Sequence, residues 1–450
     1  MHIIELKCNL VFKKFFILNG ELYNDEYFVA KISDTEILSD NSSSPTAFIK
    51  NLECINGPFS VVKFFKSSQQ LIFARDRFGR RSLMIARNED GIYLSSIAIK
   101  VNNLKMSHWS ELKSGEILSI ELDPTSKDQL SVNKHKDISS KFTAINDPVP
   151  QEIPTLENPG DYYASLANDV NHFLEKSVLT RVRRNTSVWE KVSVFFSGGL
   201  DSTLLAYYLS NIPEINAVEL VNINFWTKHA GYDTPDKKHA LHAYEELEKL
   251  NDNNNLKLKI VDVPVDDFNA SAEIISTLLF PKITVLDDSL GSALWFLSKY
   301  SSNKIVFSGL GADELFGGYR RHLKADDLDQ ELLLDINRIG ERNLARDDRM
   351  ISDHGKEVRL PFLDEDLVNF VTSLPSLARV RPDHKNPVDI GAKFLLRLVA
   401  FNNGLIVTST RAKQAMQFGS RSAKAANTDI HKKVRNADST ISPRFSNFEF

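Results

Sequence analysis

The chain has 450 residues, 42% of them hydrophobic and 25% charged, with a net charge of −4 at neutral pH. Such a length suggests two or three domains, and so small a charge gives no reason to expect nucleic acid or an anionic membrane as main partner. No run approaches the roughly 20 uninterrupted apolar residues of a membrane span. Glu5, Lys7, Lys13 and Lys14 interrupt the apolar start, unlike a signal peptide, and Cys8 and Cys54 alone cannot build a disulfide framework, a four-thiolate zinc site or a CxxC redox pair. A reducing, cytoplasmic setting is the default expectation.

No internal repeat is present. Four early runs are rich in β-branched and aromatic residues and bounded by Gly, Asn or Asp, which predicts strands: Phe59 to Phe65, Gln70 to Asp76, Gly91 to Ser96 and Gly115 to Leu122. Asp123 to Gly160 is polar, has five prolines and lacks periodicity, so it reads as an exposed connector. From Asp161, helical spacing sets in at Leu166, Val170, Phe173, Leu174, Val178, Leu179 and Val182. Strand-like runs then start at Lys191, Ala217, Leu256 and Lys304, separated by helix-like stretches. Strands alternating with helices predict a doubly wound parallel α/β sheet, which binds ligands at the carboxyl ends of its strands. The remainder reads as mainly helical, and the Asn- and Ser-rich end as disordered. The expected units are 1–122, a linker 123–160, 161–425 and a tail 426–450.

The string VFFSGGLDSTLLA (Val194 to Ala206) turns a strand into a helix through Ser197, Gly198 and Gly199. Glycines let a ligand approach backbone N–H groups, and a helix start offers unpaired donors and positive dipole to an anion. Ser197 and Ser202 add hydroxyls, and Asp201 suits the magnesium that accompanies a pyrophosphate. The spacing is not that of a Walker loop, and a plain helix cap would also use Ser and Asp. A second corner, IVFSGLGADELFGGYRRH (Ile305 to His322), repeats the design, with Asp313 and Glu314 after its turn.

The first string resembles the pyrophosphate loop of ATP pyrophosphatases, which cleave ATP to AMP and pyrophosphate while adenylating a substrate. The second resembles the SGxGxDExFGGY signature of asparagine synthetases. ARDDRM (Ala345 to Met350), EVRLPFLDEDLV (Glu357 to Val368), TPDKKHA (Thr234 to Ala240), GAKFLLRLVA and AMQFGSR extend the likeness over roughly Asp161 to Lys424. TVLDDSLGSALWF and RAKQAMQFGSR are similar to the subgroup of asparagine synthetase domain-containing proteins. The resemblance implies that Ser197, Gly198, Gly199 and Ser202 hold pyrophosphate, that Asp201 and Asp313 hold Mg2+, that backbone near Phe196 and Ile223 flanks adenine and ribose, and that Ser308 and Gly309 line the nucleotide from the other side. It further implies small-molecule substrates: ATP, aspartate, and ammonia or glutamine.

Two positions depart from that family's pattern. Leu310 stands where it has a glutamate suited to the amination step, and Ala415 where it has a lysine over the reacting centre, with Lys413 two residues away. Nucleotide binding is therefore better supported than asparagine formation. Three readings stay open: an amide-forming ligase of the asparagine synthetase type, an ATP-binding relative with a regulatory or partner-binding role, and another adenylating ligase of the same fold with a different acid or amine.

The front region resembles a class II glutaminase of αββα fold. NGELYN (Asn19 to Asn24) implies Asn19 and Gly20 as oxyanion donors and Glu21 at the glutamine amine, and SDTEIL (Ser33 to Leu38) places Asp34 at the same amine. FARDRFGRRSL (Phe73 to Leu83) resembles its hairpin. Cys8 does not match the N-terminal nucleophile, and the chain starts late by that pattern, so glutaminase activity is expected to be absent.

Overall fold

The computed structural model describes residues 3–6, 15–24, 33–40, 43–89, 91–100, 104–122, 131–139, 142–143, 145, 147–184, 187–383, 390–425, 439–446 and 448. Cys8 lies outside them.

The front half carries β1 (Ile3–Leu6), β2 (Phe15–Gly20), α1 (Asp34–Asp40), α2 (Pro45–Cys54), β3 (Phe59–Phe65), β4 (Gln70–Arg75), β5 (Met84–Asn88), β6 (Gly91–Ser95), β7 (Trp109–Glu111), β8 (Glu116–Glu121) and β9 (Val132–Asp137). They form antiparallel sheets in the orders β2-β3-β4-β8-β9 and β1-β6-β5-β7. Alternation along β3 sets the layers. Val62 and Phe64 face the core between the sheets with Phe73, Ile92 and Leu94, while Phe59, Val61 and Phe65 face α1 and α2 through Ile37, Phe48 and Leu52. Ser44 caps α2 by accepting from the Ala47 N–H, and Pro45 opens the helix. The outer face of the second sheet packs Met84 and Trp109 with Phe280 from the rear half.

The connector reading needs correction. Its residues 132–137 form β9, paired antiparallel to β8. All six residues are exposed, so no apolar alternation marks the strand in the sequence; backbone pairing alone places it.

The rear half begins with the expected helix, α3 (Gly160–Val182), and a small hairpin, β10 (Arg183–Arg184) and β11 (Ser187–Val188). There follow β12 (Lys191–Phe195), α4 (Leu200–Ser210), β13 (Ala217–Phe225), α5 (Pro235–Leu250), β14 (Leu256–Val263), α6 (Val265–Ala270), α7 (Ala272–Leu279), α8 (Val285–Tyr300), β15 (Ile305–Phe307), α9 (Ala312–Phe316), α10 (Leu328–Asn337), α11 (Ala345–Ser352), β16 (Glu357–Arg359), α12 (Glu365–Thr372), α13 (Ser376–Arg379) and α14 (Phe394–Asn402). The five strands β14-β13-β12-β15-β16 are all parallel. The chain leaves β12 toward one edge and returns to β15 on the other side, so the order reverses between β12 and β15. That switch point is where an open α/β sheet presents its ligand crevice.

Part of the expected disordered tail is docked. The Val285 N–H donates to the Thr440 carbonyl at 2.8 Å, Ser442 and Arg444 meet Asp288 at 2.6 and 2.5 Å, and Phe445 is buried in the main core. Composition misses this because one arginine and one phenylalanine anchor a polar segment; residues 426–438 lie outside the described ones.

The halves meet at a seam of buried ion pairs. Arg80 and Arg81 of the front hairpin reach Glu365 (2.5 Å) and Asp348 (2.8 Å), and Arg349 reaches back to Glu111 (2.8 Å). Among the described residues, no helix is long and apolar enough to cross a membrane.

Candidate active site

The loops after β12 and β15 are neighbours because Val194 pairs with Phe307 in register. Between them opens a cleft of about 1330 Å³ lined by Phe196, Ser197, Asp201, Ser202, Ile223, Ser308, Gly309 and Asp313, among others. All of these were expected at a nucleotide site, and all meet here. Gly199 and Ser197 also line a smaller adjoining recess of about 40 Å³. Gly198 is turned away from the main cleft: its carbonyl accepts from Arg411. Its φ is +71°, and a Cβ there would fall 2.3 Å from the His239 carbonyl, so the turn admits only glycine. Within the loop, the Gly199 N–H donates to Ser197 Oγ (3.2 Å), and Thr203 Oγ1 donates to the Gly199 carbonyl (2.8 Å).

Asp201 and Asp313, one from each loop, converge on a single cation. Lys393 Nζ lies 2.7 Å from each Asp201 oxygen and 2.5 Å from Asp313 Oδ1. Lys393 is buried and holds φ +55°, a left-handed conformation that a non-glycine residue adopts at a cost of roughly 1–3 kcal/mol and that concentrates at functional sites. Gly318 makes room for this cluster, since a Cβ would sit 2.0 Å from Asp313 Oδ1 and 2.2 Å from Lys393 Cε. Lys413 Nζ donates to the other Asp313 oxygen at 2.6 Å. Lys413 thus brings an ammonium to the cleft two residues before Ala415, which also lines it.

Charge in the cleft is displaced from its usual behaviour. Burial pushes the Asp313 carboxyl up, but Lys393 and Lys413 outweigh it and hold the group well below the usual carboxylate range. Burial opposes the charge of Lys413, yet Asp313 and Asp201 keep its pKa above that of an ordinary lysine. Burial, reinforced by the Asp313 charge, pushes Glu314 up to about 7. Burial also pushes Asp236 up to about 8. Lys393 of the adjoining recess, and Asp236, Arg342 and Arg346 of the cleft, escaped the sequence reading. Lys393 lay within a string noted only for its likeness, and no local pattern marks its role.

The glutamine-site residues fare differently. Asn19 and Gly20 end β2, opposite Ser60 and Phe59. Glu21 is buried, but its carboxylate pairs with Arg359 of β16 and accepts from the Tyr23 hydroxyl. Asp34 is buried at the start of α1.

Fold and crevice are those of an open parallel α/β sheet with a cleft at its switch point. The asparagine synthase family model matches residues 169–327 and 321–403, and a glutamine amidotransferase domain model matches residues 11–101. An asparagine synthetase domain-containing protein of Saccharomyces cerevisiae is 30% identical, across 94% of this chain and 83% of its own length. The Gallus gallus asparagine synthetase domain-containing protein 1 is 28% identical across 91% of this chain and 85% of its own. The asparagine synthetase (glutamine-hydrolyzing) of Bos taurus is 27% identical across 90% of this chain and 72% of its own. The chain belongs to the asparagine synthase family.

Proposed function

We propose that the protein is an ATP-dependent amide-forming ligase that converts aspartate, ATP and an amine nitrogen into asparagine, AMP and pyrophosphate. The observation that carries this reading is the convergence of Asp201 and Asp313, from two different loops, on one cation at the switch point. Two carboxylates facing one cation also fit Mg2+, which takes one or two protein carboxylates and completes its shell with phosphate oxygens. When bound, Mg2+ neutralises the charge of the pyrophosphate leaving group.

The chain's own groups would do the rest. Ser197, Ser202 and the loop backbone bind the β- and γ-phosphates at the start of α4. Phe196 and Ile223 flank adenine and ribose, and Ser308 and Gly309 close the opposite wall. Lys413 and Lys393 stabilise charge as the aspartate carboxylate attacks the α-phosphate, forming the acyl-adenylate and expelling pyrophosphate. Free ammonia is favoured as the nitrogen source, because Glu21 is engaged by Arg359 instead of facing a ligand amine.

Aspartate-dependent exchange of labelled pyrophosphate into ATP, with magnesium and without amine, tests the reading. Exchange in the wild type, lost in Asp201→Asn, supports it. Bound ATP without exchange would withdraw asparagine synthesis.

A further inference from the structure

The docked segment 439–446 packs behind one wall of the cleft. Ile441 bridges Thr284 in antiparallel pairing, the Val285 N–H donates to the Thr440 carbonyl at 2.8 Å, and the Ser442 N–H donates to the Ile283 carbonyl at 2.9 Å. Val285 opens α8, and its N–H is one of the donors that a helix start leaves without an intrahelical partner. The same first turn carries two carboxylates with different duties. Asp288 is wholly buried and serves the segment: Ser442 Oγ donates to one of its oxygens at 2.6 Å and Arg444 Nη1 to the other at 2.5 Å. Arg444 is held further by Ser292 of α8, by the Phe268 carbonyl and by the Phe268 ring, 3.8 Å away. Asp287 lines the cleft, where it accepts from Thr284 Oγ1 at 2.6 Å and from Arg346 Nη1 at 2.9 Å. Arg346 lines the cleft as well, with Thr284, Leu286 and Leu290.

We propose that Arg444 is a positioning residue of the cleft: through Asp288 it fixes the first turn of α8, and that turn sets Asp287 and Arg346 in the wall that receives the acid substrate. Arg444 stands behind this wall and does not line it. Without Arg444, Asp288 is a buried charge held by hydroxyls alone, and the turn relaxes to relieve it. Asp287 is the next residue in the chain, so it moves with the turn and loosens its hold on Arg346. Arg346 meets Asp287 and Asp347 through three of its donors, and a guanidinium has five, so it keeps capacity for the carboxylate of an acid. The loops after β12 and β15 are set by the strand register and do not pass through this link. The part played toward the acid rests on the ligase reading above; the link from Arg444 to the wall does not.

The test takes the full chain with Arg444→Ala, Asp288→Asn and the two combined. Amide deuteration read by mass spectrometry should quicken over residues 283–290 in Arg444→Ala and stay at the wild-type rate over 196–202 and 308–313. In aspartate-dependent pyrophosphate exchange, Arg444→Ala should raise KM for aspartate about tenfold, with kcat and KM for ATP within about twofold of the wild type. A merely structural role would lower the active fraction, and so kcat, and leave KM unmoved. The combined variant should be no worse than Arg444→Ala, because both changes break one link. Arg444→Lys keeps the cation and should recover part of the KM. An unmoved KM for aspartate, deuteration that quickens throughout the rear half, or additive losses in the combined variant overturns the role while leaving the ligase reading intact. Should Arg444→Ala not fold, Arg444→Lys and Ser442→Ala, each of which weakens the same contact, are judged by the same two readouts. Absence of pyrophosphate exchange in the wild type removes the ligase reading; quickening confined to 283–290 then still upholds the link to the wall, and quickening throughout overturns it.

Discussion

At the seam, Arg80 meets Glu365 at 2.5 Å and Asp76 at 2.9 Å, and Arg81 meets Asp348 at 2.8 Å, all with side chains at most 5% exposed. In the cleft, Lys393 bridges two carboxylates, Lys413 leans on one of them, and Glu314 and Asp236 carry pKa values near 7 and 8. Both regions bury charge. In the seam each charge has an opposite partner inside the fold, and burial of Glu365 is outweighed by Arg80, which holds its carboxyl below the usual range. In the cleft Lys393 and Lys413 are also paired, with Asp201 and Asp313, but both carboxylates border open volume as well. Paired charge enclosed on every side locks two halves together; paired charge that borders a cavity is open to a ligand.

Breaking the seam should give the largest effect on stability. Arg80→Ala leaves Glu365 buried without its partner and should cost about 3–5 kcal/mol in urea denaturation. A loss below 1 kcal/mol would mean that the seam holds little. In the cleft, Lys413→Ala should cut pyrophosphate exchange about 100-fold with a smaller loss of stability than Arg80→Ala, because its loss leaves Asp313 with Lys393. Equal losses of stability in the two variants would erase the distinction.

The regions should also respond to pH with opposite sign. Glu365 has a depressed folded pKa, so its contribution is present above the ordinary carboxylate range and disappears as pH falls through the folded value. Asp236 has a folded pKa raised from 3.8 to about 8, so its contribution is complete below pH 3.8 and is lost as pH rises through 8. Asp236→Asn should therefore melt higher than the wild type above pH 8, with the gap closing toward pH 4. Calorimetry that finds the gap constant across this range contradicts the assignment. The smallest effect belongs to an exposed pair between α3 and α12, the helix of Glu365. Lys176 and Asp366 are 3.0 Å apart but each 47% exposed, so Asp366→Asn should change stability by no more than about 1 kcal/mol.

Much of the fold is legible in the residues. The runs Phe59 to Phe65 and Ala217 to Phe225 match β3 and β13 to the residue, because β-branched and aromatic side chains fill both faces of buried strands. β9 and the docked residues 439–446 are not legible, since neither carries an apolar pattern. The expected nucleotide-site residues are legible for a related reason: a tight turn into a helix beside a phosphate needs small residues and hydroxyls at short, fixed offsets.

Other assignments depend on distance across the chain. Lys393 lies 192 residues from Asp201, and its reach into the crevice follows from a left-handed backbone that no neighbouring residue announces. Glu21 reads as a ligand for glutamine from NGELYN, yet the packing of β16 against the front half gives it to Arg359. The packing of the C-terminal segment brings Lys413 to Asp313, 100 residues away in the chain, a pairing that no local pattern announces. The sequence by itself determined the parallel sheet, its two ligand-facing corners and the carboxylates that follow them, because local geometry dictates those residue types. Only the tertiary structure decided which charges neutralise one another and which face the cleft, because burial and partners from distant strands set the energy of every ionised group.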